Sequence, residues 1–207
     1  MPTLRPRHKS RRGRSGEVLW RASVVLASMM LAREKRSPGA NAARSVIELG
    51  AGLAIAGLAI ARGCARLTLT DLPEVVPAME AAIARNAGAA GACAVNAVAL
   101  DWYDPSAGAA LTVAGKYDVA LASDCIYEGL AQTRALLKTA EALLREGGEL
   151  VLLSGAHRDG VHVLPMTLRK SAVWEEPEVR RVDGDGRDVD GDSQVEYVFV
   201  SVKRAVG

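Results

Sequence analysis

The sequence predicts an α/β protein with a doubly wound, Rossmann-like and mostly parallel seven-stranded sheet that ends in an antiparallel β-hairpin. Short apolar runs alternate with Ala- and Leu-rich stretches of helical length from residue 45 to residue 153. This alternation is typical of a parallel sheet with helices on both faces. After Ser154 the alternation is replaced by two β-rich runs joined by a polar loop, which predict the terminal hairpin.

Five strands are predicted from short runs of apolar and β-branched residues that stop at a glycine or a polar residue. They lie at residues 45–49, 66–70, 94–100, 117–122 and 149–153. The hairpin strands are expected within residues 172–182 and 194–203. The second of these runs is apolar on both faces, so we expect it inside the sheet rather than at its edge.

Five helices are predicted between and after the strands, at residues 19–33, 53–62, 74–86, 130–145 and 161–169. Ser37-Pro38-Gly39 is expected to end the first helix, and Gly147-Gly148 the fourth. The first helix is expected to bury the apolar residues that recur at helical spacing, namely Trp20, Val24, Ala27 and Leu31.

Composition and cysteine spacing limit the class of protein. The chain is 49% hydrophobic and 24% charged, which is ordinary for a globular protein. No apolar stretch reaches the roughly 18 residues that a membrane span needs, so no membrane partner is expected. Cys64, Cys93 and Cys125 form neither a disulfide framework nor a zinc pattern. We therefore expect no metal site and a reducing compartment, the cytoplasm or the nucleus.

The charge is unevenly distributed along the chain. Residues 1–14 hold six Arg and Lys and no acid; since the whole chain carries +2, the remainder carries −4. Residues 1–16 are predicted to be a basic disordered tail and residues 17–207 a single, monomeric domain. A nuclear address, a nucleic-acid patch and a transit peptide remain alternatives for the tail. We favour a solvated leader and do not predict a nucleic-acid substrate.

Glycines and an acid follow the first two predicted strands. Glu48-Leu49-Gly50-Ala51-Gly52 ends the first strand, and Asp71 ends the second, 21 residues after Gly50. Glycines let the backbone approach a ligand closely, and an acid at this spacing binds ribose hydroxyls in nucleoside-binding sheets. The structural alternative is that Asp71 only caps the next helix.

The glycine spacing also limits the kind of cofactor. A dinucleotide fingerprint would need a small residue at position 55, where this chain has Ile55. No Gly-Lys-Ser/Thr follows, which excludes a P-loop. An adenosine cofactor without a pyrophosphate fits the sequence better.

Two further strand ends carry polar and aromatic side chains. After the third strand, the Asp101 carboxylate can accept a hydrogen bond from an adenine amino group, and Trp102 offers a flat apolar wall. After the fourth strand, Asp124 stands at the centre of the sheet, with Tyr127 three residues further on. In the structural alternative, these are helix caps and packing aromatics.

Taken together, these residues resemble the family-16 S-adenosylmethionine-dependent protein methyltransferases, which include many protein-lysine methyltransferases. The matching elements occur in order over residues 19–155 and are Leu19-Trp20-Arg21-Ala22, Glu48-Leu49-Gly50-Ala51-Gly52, Asp71, Asn86, Leu100-Asp101-Trp102 and Ala122-Ser123-Asp124-Cys125-Ile126-Tyr127. The glycine element is shared by many methyltransferases, whereas Asp-Trp combined with Asp-x-x-Tyr is more specific.

The resemblance implies a function and a set of site residues. The protein would transfer a methyl group from S-adenosylmethionine to a protein substrate at a lysine amine. Asp124 and Tyr127 would be catalytic, facing that amine. The cofactor would be lined by Trp20, Gly50, Ala51, Gly52, Asp71, Trp102 and Ser123, with Glu48 and Asp101 assigned beside them.

The sequence departs from the family pattern at one position of the glycine element. The family usually has a glycine two positions after Gly52, and this chain has Ala54. Alanine costs little there if the position lies in the first helical turn, and more if it needs a positive φ. Three rivals remain open: a methyltransferase for a small molecule or another residue type, a non-catalytic relative that binds a partner or the cofactor, and a nucleic-acid binder that acts through the basic tail.

Overall fold

The computed structural model describes residues 18–36, 44–104, 111, 116–191 and 195–207. Within them, seven strands form one sheet in the order β3-β2-β1-β4-β5-β7-β6. β1 to β5 run parallel, and β7 pairs antiparallel with both β5 and β6. The predicted fold class is therefore confirmed. The strands are β1 (Ser45–Leu49), β2 (Arg66–Asp71), β3 (Ala94–Ala99), β4 (Tyr117–Ser123), β5 (Leu144–Gly155), β6 (Glu178–Val182) and β7 (Tyr197–Lys203).

Helices cover both faces of this sheet. They are α1 (Arg21–Arg36), α2 (Ile55–Ile60), α3 (Val76–Ala90), α4 (Leu130–Leu143) and α5 (Leu164–Arg169), with 3-10 turns at Ala61–Gly63 and Val161–Val163. Buried side chains of α1, α2 and α3 pack with one face, which includes Leu67 and Leu121. Those of α4 and α5 pack with the other, which includes Ile47 and Leu152. The strand order reverses between β1 and β4, which places a crevice beyond the carboxyl ends of these two strands.

Three sequence expectations fall outside the described residues: the basic tail of residues 1–16, the helix stop at Ser37-Pro38-Gly39 and the start of the last strand at Gln194. The division into a tail and one domain therefore remains a prediction. Over the described part of the chain, no helix has the length and apolar content that crossing a membrane requires.

The helix before β5 ends earlier than the sequence predicts. Leu144 already has extended backbone angles (φ −77°, ψ 142°), so α4 stops at Leu143. β5 starts at Leu144, and Gly147, with φ +69°, lies inside that strand instead of ending the helix. The prediction that the helix reaches residue 145 and is stopped by the glycine pair is therefore wrong.

The buried face of α1 also differs from the prediction. Trp20, Val24 and Leu31 are 40–41% exposed, and Trp20 precedes the first helical residue. Of the predicted set, Ala27 is buried, and the other buried side chains of this helix are Ala22, Ser23, Val25, Leu26 and Met30. Since residues 22–32 carry apolar side chains on more than one side, periodicity alone offers two faces, and contact with the sheet selects between them.

Candidate active site

The turn after β1 is built from left-handed backbone conformations. Gly50 has φ +67° and Gly52 has φ +52°. A Cβ added at Gly50 would lie 3.2 Å from Cys125 Cβ and 3.3 Å from Trp102 Cζ2. Glycine is therefore required both for the turn and for the close approach of the segments that follow β3 and β4.

Ala54 shares this backbone strain. It precedes α2 with φ 59° and ψ 31°, in the left-handed region, and it is fully buried. A left-handed conformation costs an L-residue about 1–2 kcal/mol. Of the two possibilities that the sequence leaves open for this departure from the family pattern, the structure therefore selects the costly one.

Asp71 fastens the glycine turn to the end of β2. One carboxylate oxygen accepts the N–H of Gly52 at 2.8 Å, and the other accepts the N–H of Leu72 at 2.7 Å. Burial raises the pKa of Asp71, and the two backbone hydrogen bonds act against that rise. A carboxylate has about four lone-pair positions. Each oxygen of this partly exposed side chain thus keeps one for a ligand hydroxyl.

The other predicted cofactor residues gather around this turn. The Ala51 N–H donates to the Thr70 carbonyl at 2.9 Å, which joins the turn to β2. Trp102 packs against the buried cluster on the α4 side of the sheet. The Asp101 carboxylate accepts the Tyr103 N–H at 3.0 Å, so it shapes the turn that holds Trp102. Ser123 is the last residue of β4 and is partly buried.

Glu48 is not at the surface of this site. Its side chain is fully buried beneath α2, where Oε2 accepts the N–H of Gly57 at 2.9 Å. Oε1 is buried and has no hydrogen-bond partner among the described residues. Burial raises the pKa of Glu48 to about 8. Its contribution is to support α2 from below, since in this structure it presents no surface to a ligand.

Asp124 stands at the carboxyl end of β4 with φ 51°, a rare conformation outside glycine. Its N–H donates to the Leu153 carbonyl at 2.8 Å, which continues the pairing between β4 and β5. Oδ1 accepts the N–H of Gly155 at 3.0 Å and the Nε–H of Arg158 at 3.1 Å. The Arg158 Nη2 donates to Oδ2, so the ion pair is bidentate.

Arg158 is the site residue that the sequence analysis missed. It lies in the turn after β5, and its guanidinium carbon is 5.0 Å from the Trp20 ring centroid. The hydrogen bonds to Asp124 raise the Arg158 pKa above its ordinary value. The signal that could have identified it is its place just beyond the carboxyl end of β5, where the other site residues follow their strands.

Tyr127 lies at the rim, and 43% of the residue is exposed. The buried amide of Gln132 holds its loop, because Gln132 Oε1 accepts the N–H of Tyr127 at 2.8 Å and of Glu128 at 2.9 Å. Trp20 is similarly exposed, at 40%. Two aromatic rings therefore stand open to solvent beside an ion pair whose carboxylate side chain is only 8% exposed.

Comparison with known proteins identifies the family. A family model described as lysine methyltransferase matches residues 2–162. The calmodulin-lysine N-methyltransferase of Arabidopsis thaliana is 29% identical over 175 residues, which is 77% of this chain and 55% of that protein. The chain thus spans about half the length of this curated relative.

Solved structures agree with the fold. A methyltransferase of Streptomyces caelestis superposes with a TM-score of 0.65 at 14% identity, covering 93% of this chain and 95% of that one. The magnesium protoporphyrin IX methyltransferase of Synechocystis PCC 6803, solved with bound SAH, has a TM-score of 0.59 at 12% identity and covers 88% and 84%. At these identities the likeness shows the fold alone, whereas the family match covers most of the chain. The chain therefore belongs to the lysine methyltransferase family.

Proposed function

We propose that this protein transfers a methyl group from S-adenosylmethionine to a lysine side-chain amine of a protein substrate. The observation that carries the proposal is the placement of Asp124 beside the Asp71-fastened glycine turn, at the carboxyl ends of three adjacent strands. Family membership and the calmodulin-lysine N-methyltransferase among the relatives support lysine as the acceptor.

The residues present fit an adenosine cofactor. Asp71 retains acceptor positions for two ribose hydroxyls, and the backbone at Gly50 and Gly52 has no side chain of its own to keep a ligand away. Trp102 supplies a flat apolar wall against this turn. The residues proposed to hold the cofactor are Trp20, Gly50, Ala51, Gly52, Asp71, Asp101, Trp102 and Ser123, with Glu48 supporting α2 from below.

Positioning is the main task left to the chain. When bound, S-adenosylmethionine supplies a methyl group on a sulfonium sulfur, which keeps the C–S electron pair as the new N–C bond forms. Asp124 is proposed to orient the incoming amine, and the exposed ring of Tyr127 to flank its approach. Orientation of two reactants can lower a barrier by about 7–11 kcal/mol.

The test is a methyl-transfer assay with methyl-labelled S-adenosylmethionine, using calmodulin and a cell extract as acceptors. Mass spectrometry of labelled bands then identifies the modified residue. We expect label on lysine with the wild-type chain and about 100-fold less, or lower still, with Asp124→Asn. Label on another residue type, or only on small molecules, would contradict the lysine assignment while leaving methyl transfer intact.

The strained Ala54 favours a second candidate, a relative that binds the cofactor with weak or no turnover. Calorimetry with S-adenosylhomocysteine separates the two. Binding together with label transfer supports the enzyme, and binding without transfer to any acceptor supports the second candidate. Absence of binding contradicts both.

The proposal also includes a monomeric enzyme of the cytoplasm or nucleus. Light scattering of the purified chain tests the monomer. Imaging of the tagged protein with and without residues 1–16 tests whether the basic tail sets its location.

A further inference from the structure

The Asp124 carboxylate is paired with the Arg158 guanidinium, and this pairing affects the charge of an amine bound beside it. The bidentate pair leaves the Arg158 side chain 22% and the Asp124 side chain 8% exposed. Water therefore screens the pair only weakly. A bare carboxylate at this position would stabilise an ammonium, which has no lone pair to accept a methyl group.

We propose that Arg158 is a positioning residue that fixes the Asp124 carboxylate and offsets its charge, so that the substrate amine meets the site in its neutral form. The inference rests on the proposed function. It differs from a simple structural role because it makes Arg158 set the pH at which the amine loses its proton to water.

The turn that carries Arg158 is held in place. Gly160, with φ +93°, approaches the Gly129 loop so closely that an added Cβ would lie 2.9 Å from Thr133 Oγ1 and 3.0 Å from the Gly129 carbonyl oxygen. At the other end of the turn, the Gly155 N–H binds Asp124 directly. The guanidinium is thus fixed by its backbone as well as by its partner.

The guanidinium itself is held from two directions. Two N–H groups donate to Asp124, and the guanidinium carbon lies over the Trp20 ring, 5.0 Å from its centroid. Arginine suits this arrangement because its planar fork pairs with a carboxylate while its face stacks on an aromatic ring. Lysine would keep the charge and lose the fork.

Other charged and titratable groups surround the pair, and they remain in place in every variant below. Around Arg158 and the nearby Tyr197, electrostatic contacts involve Tyr127, Arg21 and Glu196. The His157 ring lies against Gly155, whose N–H binds Asp124. Around Cys125, next to Asp124, they involve Asp71 and Glu48. Since these groups are common to all proteins compared, a difference in pH dependence between them reports Arg158.

The first test needs no acceptor protein. Sinefungin carries an amine where S-adenosylmethionine carries its methylated sulfonium, so its affinity relative to S-adenosylhomocysteine reports the charge balance near the methyl position. At pH 7 we expect Arg158→Gln to raise the relative affinity for sinefungin about tenfold, because Asp124 loses its partner charge. Asp124→Asn should lower it. Arg145→Gln, which removes a similar ion pair at the opposite end of β4, should leave it unchanged.

The second test is the pH–rate profile for the labelled acceptor. For Arg158→Gln we expect the apparent pKa for amine deprotonation to rise by about one unit. Turnover should then be about tenfold lower near neutral pH and should approach the wild-type rate at high pH. Arg158→Lys keeps the charge and should retain the wild-type profile, with a lower maximum rate. Thermal unfolding verifies that each variant is folded.

The outcomes separate the two proposals. A wild-type chain that binds S-adenosylhomocysteine but methylates no lysine contradicts the proposed function, and the sinefungin ratio still decides on Arg158. An unchanged ratio, or a rate loss in Arg158→Gln that is equal at all pH values, overturns the charge-offsetting role. A chain that binds neither compound overturns both proposals.

Discussion

β4 carries an Asp–Arg pair at each end, and the two pairs differ in setting rather than in chemistry. At the amino end, Asp118 accepts the Ser45 N–H and pairs with Arg145. At the carboxyl end, Asp124 accepts the Gly155 N–H and pairs with Arg158. The Asp and Arg side chains are 23% and 54% exposed in the first pair, and 8% and 22% in the second.

The backbone separates the two aspartates further. Asp118 lies within β4, at a register shift in its pairing with β5, and keeps a negative φ. Asp124 instead has a positive φ just after the strand, where the chain turns away from the sheet. An ion pair alone therefore does not mark a site. Three features distinguish the pair at the carboxyl end from the structural pair at the amino end: its position at the switch between β1 and β4, its burial and its unusual backbone conformation.

The largest expected effect comes from removing the charge of Asp124, with the same change at Asp118 as the control. Asp124→Asn should reduce turnover by about 100-fold or more, since it removes a group placed to orient the reacting amine. Asparagine tolerates positive φ, so the fold should persist. Affinity for S-adenosylhomocysteine should stay within a few fold, and Asp118→Asn should leave turnover unchanged. Equal losses in both variants would mean that the two ends are functionally alike.

Asp71 lies at the carboxyl end of β2, which is separated from β4 by β1. Asp71→Ala removes the acceptor for the Gly52 and Leu72 N–H groups together with the proposed ribose contacts. Hydrogen bonds to a charged group contribute about 1.5–3 kcal/mol. We therefore expect affinity for S-adenosylhomocysteine to fall about 10- to 100-fold by calorimetry. Unchanged affinity would reject the ribose assignment.

The sequence predicted the sheet well because its signals are local. Each of the five parallel strands is an apolar run that stops at a turn residue, and the two apolar faces of β7 predicted its interior position. The positions of Asp71 and Asp124 follow from the same rule, because polar residues after adjacent parallel strands meet at one edge. The placement of these residues needed no knowledge of tertiary contacts.

What the sequence could not show depends on tertiary contacts. Arg158 lies in a short turn without periodicity, and only the folded chain brings its guanidinium to Asp124 and Trp20. Alanine itself does not determine whether the backbone at position 54 is right-handed or left-handed. The structure shows the left-handed conformation, with φ 59°. The burial of Glu48 beneath α2 likewise arises from packing against Gly57.

Glu149 and Glu48 lie near opposite ends of the parallel strands, and their pKa values are shifted in opposite directions. Glu149, near the amino end, is bound by Arg33 and Ser201, which lower its pKa although burial acts to raise it. Burial instead raises the pKa of Glu48 to about 8. As the pH rises, the unfolded chain releases the Glu48 proton before the folded protein does. The free energy of unfolding therefore falls as the pH rises from roughly 4.5 to 8, by up to about 1.4 kcal/mol per pH unit.

Glu48→Gln removes this titration. We expect the Tm of the variant, measured without cofactor, to rise relative to that of the wild type as the pH rises from 5 to 8. A difference that is constant across this range would mean that Glu48 is ionised in the folded protein. Arg33→Gln is the matched variant at the other glutamate, and it should lose stability at neutral pH because Glu149 then lacks its partner.

A smaller effect is expected at Ala54. Ala54→Gly relieves a left-handed conformation that costs an L-residue about 1–2 kcal/mol, while glycine loses about 0.5–1 kcal/mol through the flexibility of the unfolded chain. The net gain of roughly 0.5–1 kcal/mol corresponds to a rise in Tm of about 1–4 °C for a chain of this size. Differential scanning calorimetry measures it. A fall in Tm would show that packing of the Ala54 methyl group stabilises the protein by more than the left-handed backbone conformation destabilises it.

The smallest effect is expected at the amino end of β4. Arg145 is 54% exposed, and a surface ion pair contributes about 0–1 kcal/mol. The hydrogen bonds from Ser45 and Arg145 lower the pKa of Asp118 despite its partial burial. Stability from the pair is therefore present above the ordinary pKa of an aspartate and is lost as the pH falls through the lowered one. Arg145→Gln should reduce Tm by about 2 °C or less at pH 7 and not at all near pH 2. A loss of several degrees, or any change in turnover, would show that the two ends of β4 are coupled and that the amino-end pair does more than anchor β1 to β4.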